Sequence, residues 1–320
     1  MSGQEATGPV GAAAVDLSVI VVTYNSRALT LACVASVLAE QARSRAAIEL
    51  VIVDNASTDG TADALREVAP AARILVQPAN LGFAGGNNVG LAAAAGRYLM
   101  LLNSDTEVCT GALDALVAFM EAQPEAGACG PMLVNPDGSL QPTGRDLPTL
   151  GSLLLDMTRL YRLWRRDLYS QRGRDYRAVA AVGELSAAAL VVRRSAYAQV
   201  GGLDTHFFFY YEDVDWCKRI GDAGYRIYYV PTAQVVHQWQ GTSRTVSALA
   251  YRAGQDSLRY YFRKHHGRQA AVAVQAMLIG KEAALLLASA LRRSRAGMLL
   301  HREMLRRAAA PLTIQGGAAK

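Results

Sequence analysis

Apolar and polar positions along the first hundred residues alternate between strand-like and helix-like patterns. Residues 17–22 form an apolar, β-branched run that reads as a buried strand. Thr23-Tyr24-Asn25-Ser26 ends it, and a helix is expected over 29–41. A second strand is expected at 48–53, followed by the loop Asp54-Asn55-Ala56-Ser57-Thr58-Asp59-Gly60. A helix over 61–68 comes next, with Ser57, Thr58 or Asp59 as its N-cap, then a third strand over 73–77. A Gly/Asn-rich loop at 80–90 runs into a helix that continues through 95. The apolar run at 98–103 stops abruptly at Asn103, and Ser104-Asp105-Thr106-Glu107 follows. This alternation predicts an α/β, doubly wound, mostly parallel sheet. Asp105 then falls just past a strand's carboxyl end, where open α/β sheets bind ligands.

The second half is less regular. A helix is expected over 111–121, a short strand over 129–134, and a turn at Asn135-Pro136-Asp137-Gly138. Residues 150–177 carry seven arginines against three aspartates, with Tyr161, Trp164, Tyr169 and Tyr176 interleaved, which marks a change of composition. A strand over 182–193, an apolar aromatic run at 206–211, a helix over 212–223, and strands over 226–231 and 233–237 complete the α/β pattern. From about residue 245 the chain reads as helical and basic. Three regions result: a disordered leader over 1–15, one α/β domain over 16–244, and a basic helical C-terminal region over 245–320.

Bulk composition narrows the function. With 51% apolar and 19% charged residues, the 320-residue chain has enough apolar content for a sizeable core. The net charge of +6 favours anionic partners such as phosphates or an acidic membrane face. No nucleic-acid-binding signature accompanies it. Cys33, Cys109, Cys129 and Cys217 are scattered without a C-x-x-C pair, so neither a zinc site nor a disulfide framework is supported, and a cytoplasmic location fits. The leader has no basic stretch followed by an apolar core, so it does not read as a signal peptide. The apolar window at 270–291 is interrupted by Lys281-Glu282, which argues against a spanning helix.

Four stretches carry candidate chemistry. The acceptor-rich loop at 54–60 could bond a base and a ribose, or simply form an Asx-turn and N-cap. The glycines at 80–90 lack the G-x-G-x-x-G spacing, yet glycines before a helix can let backbone N–H groups approach phosphate or sugar; a flexible connection is the other reading. Phe207-Phe208-Phe209-Tyr210-Tyr211 leads directly into Glu212-Asp213-Val214-Asp215. Crowded carboxylates partly desolvated by aromatics raise one another's pKa, which suits a general base. Helix-start acids are the alternative, which fits Asp215 best because Arg219 lies four residues on. Asp105 could hold a divalent cation, and His237 could ligate it if the sheet brings the two together.

In this order, Val21-Val22-Thr23-Tyr24-Asn25, the 54–60 loop, Asn80-Leu81-Gly82-Phe83, Leu102-Asn103-Ser104-Asp105, Gly201-Gly202-Leu203-Asp204 and Tyr211-Glu212-Asp213-Val214-Asp215 resemble family 2 inverting glycosyltransferases of the GT-A fold. The resemblance spans about residues 17–244 and is greatest to a bacterial rhamnosyltransferase-like branch. It implies that Asp213 is the catalytic base, with Glu212 and Asp215 as supporting acids. It implies nucleotide-sugar contacts at Thr23, Asn25, Asp54, Asp59, Asn80, Gly82, Phe83, Asn87, Asn88, Asn103 and Ser104. Asp105 and His237 would hold Mg²⁺ or Mn²⁺. The implied reaction moves rhamnose from dTDP-rhamnose, with inversion, to a hydroxyl of a glycan or lipid-linked acceptor in cell-wall or surface polysaccharide synthesis. A UDP-linked galactofuranose or hexose as donor stays open, as do a non-catalytic nucleotide-sugar-binding role and homo-oligomer formation. Asn103 stands where the general D-x-D pattern has its first acid, and Ala187-Ala188 where this branch usually has a glycine. The arginines and leucines of the tail fit either a basic amphipathic helix on the inner face of an anionic membrane or a helix packed on the core or another subunit.

Overall fold

The structure, a computed structural model, describes residues 15–158, 160, 175–207, 210–238 and 247–311. Most of the expected leader and most of the arginine-rich segment, with Tyr161, Trp164 and Tyr169, lie outside the described residues, as do Phe208 and Phe209.

The first half follows the expected alternation: β1 (Leu17–Thr23), α1 (Arg27–Gln41), β2 (Ile48–Asp54), α2 (Thr61–Val68), β3 (Arg73–Val76), α3 (Gly82–Ala93) and β4 (Tyr98–Asn103). Then come β5 (Thr106–Val108), α4 (Ala112–Ala122), β6 (Ala126–Val134), β7 (Leu140–Gln141), α5 (Leu150–Thr158), β8 (Ala180–Val182), β9 (Ala189–Arg193), α6 (Arg194–Val200), α7 (Glu212–Asp222) and β10 (Arg226–His237). The C-terminal region holds α8 (Ser247–Leu291) and α9 (Arg295–Ala309). One ten-stranded sheet runs β3-β2-β1-β4-β9-β6-β10-β5, with β7 on β6 and β8 on β10.

The β3-β2-β1-β4 half is parallel, and β9 enters antiparallel between β4 and β6. Register aligns the carboxyl ends: Thr23 lies opposite Asp54, and Val22 opposite Asn103. The loops after β1, β2 and β4 therefore open on one edge of the sheet. Alternation along each strand splits the core. Val19 and Val21 of β1 face a cluster with Val34, Leu65 and Leu116 of α1, α2 and α4. Ile20 faces the opposite cluster, with Leu91, Ala196 and Trp216 of α3, α6 and α7. A third cluster joins Val214 of α7 to Tyr261, Phe262 and Val274 of α8.

Three expectations are corrected. The 80–90 stretch is helical from Gly82. Its glycines let α3 lie close on the sheet: a Cβ at Gly90 would meet Ile20 Cγ2 at 2.3 Å, and one at Gly86 would meet Val22 Cγ1 at 2.7 Å. The 182–193 strand is two short strands, because the backbone at 184–188 leaves the ladder to line a cavity. The 226–231 and 233–237 strands are one, β10, with a register shift between Val230 and Gln234 that absorbs Pro231. Past Asp105, Thr106–Val108 forms a short strand that pairs antiparallel with β10 and that the sequence pattern does not indicate. Helix α8 is kinked at Gly267, where φ is 85°. Its Ala253–Leu291 stretch is long and apolar enough to cross a membrane by length and composition alone, and 22% of its most apolar window is buried. Glu282, half of the charged interruption, is fully buried and accepts bonds from Tyr251 Oη (2.5 Å), Gln255 Nε2 (2.8 Å) and His301 Nδ1 (2.8 Å).

Candidate active site

The β5–β10 pairing sets His237 opposite Thr106, one residue past Asp105. Gln238 N–H donates to the Asp105 carbonyl at 2.9 Å, which fixes the turn. The side chains then converge, with His237 Nε2 3.4 Å from Asp105 Oδ1. Gln141 of β7 decides which imidazole nitrogen carries the proton. Its Nε2 donates to the His237 carbonyl (2.6 Å) and to Asn135 Oδ1 (2.7 Å), so its Oε1 must accept from His237 Nδ1 at 2.9 Å. That leaves Nε2 as the imidazole nitrogen facing the Asp105 carboxylate. A carboxylate oxygen and an imidazole nitrogen this close can share a cation. The donor set of one carboxylate and one imidazole, with the imidazole's second nitrogen anchored, fits a divalent metal. The described residues contain no cluster of three or more His, Cys, Asp or Glu placed to hold a metal without further ligands. The site therefore suits a metal completed by phosphate oxygens and water. Gln141 was missed by sequence reasoning; the Asn-Pro-Asp-Gly turn that delivers it was the available signal.

Asp213 sits in the first turn of α7. The chain enters that helix through Tyr210 and Tyr211 at φ of 65° and 71°, left-handed values that bulky residues rarely adopt. Asp213 Oδ2 accepts from Ala187 N–H at 3.2 Å and Oδ1 from Val214 N–H at 2.9 Å. Burial pushes the Asp213 carboxyl up, and those two N–H groups with the charge of Arg145 partly offset it. The neighbouring Glu212 is likewise raised, by burial and then by Asp213, and its Oε2 is buried without a hydrogen bond. Glu184, buried beside them, is pushed up to about 8 by desolvation and Asp213 against the pull of Arg145. Arg145 and Glu184 are held together by a backbone bridge and were not singled out from the sequence.

Asp105, Asp213 and His237 line one cavity of about 390 Å³, together with Phe83, Asn103, Arg145 and Glu184. The stretch 187–188 joins its two sides: Ala187 N–H reaches Asp213, and the Ala188 carbonyl accepts from Asn103 N–H at 2.9 Å. The alanines that depart from the glycine pattern thus act through their backbone.

The other expected nucleotide-sugar residues divide. Asn25, Asp54 and Asp59 gather where β1 and β2 end. Asn25, at φ 48°, accepts from Thr58 N–H (2.8 Å), and Asp54 Oδ1 accepts from Ser57 N–H (2.9 Å). Asp54 Oδ2 and Asn55 Oδ1 are buried without a partner, so a donor-bearing ligand would satisfy them. Asp59 accepts from Thr61 N–H and Arg27 N–H, both at 3.1 Å, which is the helix-start reading, although Gly60 occupies the cap position itself. Ser104 joins this group to the Asp105 side through Ser26, with the two Oγ atoms 3.5 Å apart.

Four of the expected contacts are occupied internally. Thr23 is buried, with its Oγ1 on Thr30 Oγ1 at 2.7 Å. Asn87 is buried and donates to the Phe83 carbonyl at 2.9 Å. Asn88 clamps both backbone groups of Leu203 at 2.8 Å. Asn80 caps Gly82 N–H at 2.8 Å. Gly82, at φ 70°, supplies the turn into α3. Asp215 points away from the cavity, fully buried against Arg219 Nε at 2.8 Å as its spacing predicted.

A doubly wound sheet with this acid-lined cavity at its carboxyl edge is the arrangement of a GT-A fold, and the comparisons give it a family. The model for Glycosyl transferase family 2 matches residues 18–200, and the chain belongs to that family. It is 37% identical over 204 residues to N-acetylglucosaminyl-diphospho-decaprenol L-rhamnosyltransferase of Mycobacterium tuberculosis, a match covering 59% of this chain and 66% of that protein. It is 36% identical over 76 residues to Rhamnosyltransferase WbbL of Escherichia coli, covering 23% and 29% of the two chains. The fold is shared with a mannosyltransferase from Pyrobaculum calidifontis in complex with GDP-Man and Mn²⁺, at a TM-score of 0.56 and 20% identity over 92% of this chain and 85% of that one.

Proposed function

We propose that the protein transfers a sugar, rhamnose from dTDP-rhamnose, to a hydroxyl of a lipid-linked N-acetylglucosaminyl diphosphate. The observation that carries this reading is the meeting of Asp105, His237 and Asp213 on one cavity at the sheet's carboxyl edge. The choice of rhamnose and of a lipid-linked acceptor follows the two rhamnosyltransferases to which the chain is similar. The described residues lining the cavity fall between 83 and 237, which supports 16–244 as the unit that supplies the cavity lining.

Asp213 takes the proton of the acceptor hydroxyl as its oxygen attacks the anomeric carbon. The bond from that carbon to the diphosphate oxygen breaks, and the nucleoside diphosphate leaves with the electron pair. A single displacement inverts the anomeric configuration, and a positioned base contributes ~10²–10⁴ in rate. Asp54 and Asn55 offer acceptors to the nucleoside. Arg145 lies beside the acids and tempers their repulsion. Asp105 and His237 would hold Mg²⁺ or Mn²⁺, which neutralises charge on the leaving diphosphate when bound.

The tail fits contact with an anionic membrane, which would bring a lipid-linked acceptor to the cavity from the cytoplasmic side. Leu287, Leu291 and Leu299 are exposed beside exposed Arg292, Arg293, Arg295 and Arg302.

The test is incubation of the full chain with Mn²⁺ and either dTDP-rhamnose or UDP-glucose, with a lipid-linked N-acetylglucosaminyl diphosphate as acceptor. Transfer from dTDP-rhamnose is expected, abolished by chelator and reduced ~10²–10⁴-fold in Asp213→Asn with donor binding retained. Transfer from UDP-glucose alone would overturn the donor assignment, and wild-type turnover in Asp213→Asn would remove it as the base.

A further inference from the structure

The turn that presents Asp213 is strained and lacks its own cap. Tyr210 and Tyr211 both adopt left-handed φ, and the N-cap residue Tyr211 makes no side-chain capping bond to α7. Bulky residues rarely adopt such conformations, which persist only where the surroundings hold them. Here the surroundings come from α8, far along the chain. The Tyr211 ring lies against the Tyr261 ring at 5.6 Å, and a Cβ on Gly254 would stand 3.4 Å from Tyr210 Cδ2.

The polar half of the support is more specific. Lys264 Nζ lies 2.7 Å from Asp215 Oδ1 and 2.7 Å from Asp204 Oδ2. His265 Nε2 donates to Asp215 Oδ1 at 2.7 Å. Asp215 is fully buried one half-turn beyond Asp213, and its other oxygen takes Arg219. Arg219 reaches on to the carbonyls of Val200 (2.7 Å) and Gly202 (2.6 Å). Asp204 also takes Tyr260 Oη at 3.0 Å and His206 Nδ1 at 2.8 Å. Burial would raise the Asp215 carboxyl, but the His265 and Lys264 bonds and the Arg219 charge outweigh it and hold it ionised. A fully buried carboxylate facing three basic side chains on two helices fixes orientation as well as charge, because each donor restricts a different direction.

We infer that Lys264 and His265, on the C-terminal helix, are positioning residues for the base: they act through Asp215 to hold the first turn of α7 so that Asp213 meets Ala187 N–H and the cavity. The C-terminal region is then part of the catalytic scaffold as well as a candidate membrane contact. This inference rests on Asp213 being the base, but its structural half does not depend on transferase activity.

The test uses the full chain with Lys264→Met, Lys264→Arg, Asp215→Asn and the Lys264→Met/Asp215→Asn pair. In Lys264→Met, Asp215 keeps Arg219 and His265, and Asp204 keeps Tyr260 and His206, so the fold is expected to survive. Amide hydrogen exchange over 211–216 is expected to quicken about tenfold while the β1–β4 strands stay protected. Turnover of dTDP-rhamnose is expected to fall about tenfold or more with its KM within about twofold, since a small misplacement of a reacting group costs turnover rather than binding. Lys264→Arg is expected to restore most of both. The double variant is expected to be no worse than Asp215→Asn alone, the mark of action through one partner. Unchanged exchange at 211–216, or losses that simply add, would overturn the inference. A wild-type chain inactive with every donor would sink the proposed reaction and leave the exchange result to decide the coupling.

Discussion

Asp213 sits where opposing influences meet. Burial disfavours its charge, and two backbone N–H groups favour it. The sequence announced this acid through the aromatic run before it, but not the groups that tune it. Arg145 and Glu184 lie in segments without regular periodicity, and only the folded backbone bridge pairs them. Glu184 gives a pH-dependent test. From its ordinary value of 4.5 up to about 8, the unfolded chain releases the Glu184 proton while the folded chain keeps it. The contribution of this group to stability therefore falls as pH rises through that window. Glu184→Gln, which stays neutral, is expected to melt like wild type near pH 5 and progressively above it toward pH 8.5, on the scale of ~1.4 kcal/mol per pH unit at most. Thermal melts across that range check it; a constant difference would show that Glu184 is ionised throughout. Gln141 gives a second test. It holds His237 through Nδ1, so Gln141→Leu is expected to weaken Mn²⁺ binding in the presence of dTDP by about 10–100-fold. Titration followed by the paramagnetic signal of free Mn²⁺ measures this, and unchanged affinity would detach Gln141 from the metal role.

Elements were legible where one physical signal dominated. The apolar β-branched runs of β1, β2 and β4 are buried on both faces, so burial alone wrote them into the sequence. β5 was not legible, because three residues carry no periodicity and its stability comes from the distant β10. That pairing brings His237 to Asp105, so their meeting depends on long-range register, which the sequence pattern left open. Helix α3 shows the reverse case, in which an ambiguous composition had a local cause. Its glycines read as a phosphate loop or a flexible connection, yet Gly90 is set against Ile20 and Gly86 against Val22 and Asn55. The close approach of helix to sheet requires them. Gly90→Ala would gain helix propensity, but its methyl would meet Ile20 Cγ2 at 2.3 Å, well inside contact. Overpacking of this kind costs ~1–3 kcal/mol and outweighs the ~1 kcal/mol propensity gain. Gly90→Ala is therefore expected to lower the denaturation midpoint, and a stabilised variant would show that α3 can shift outward without loss.

At the scale of the whole molecule, the C-terminal helices face two ways. Inward, Glu282 is fully buried and bonded to Tyr251, Gln255 and His301, and Val274, Leu278 and Ala308 join the cluster that reaches Val214 of α7. This network ties both limbs of the kinked α8 to α9. Outward, Val272, Leu287, Leu291 and Leu299 are exposed among arginines in a chain of net charge +6. The buried acid explains why the charged pair at 281–282 does not mark a solvent face, and it fits the proposed contact with a membrane surface better than a crossing. The two forces can be separated experimentally. Apolar insertion is worth ~25 cal/mol per Å² buried, whereas attraction of arginines to anionic headgroups is screened within a Debye length of ~8 Å at physiological salt. The triple variant Leu287→Ser, Leu291→Ser, Leu299→Ser leaves the inward network and the site untouched. It is expected to lose co-sedimentation with vesicles containing anionic phospholipid while keeping its melting midpoint and its activity on a detergent-solubilised acceptor. Wild type is expected to bind vesicles of purely zwitterionic lipid weakly and to release from anionic vesicles as salt is raised. Equal binding by wild type and the triple variant at every salt concentration would remove this face as the membrane contact and leave it to a second copy of the chain, which sedimentation velocity of the two forms would then reveal.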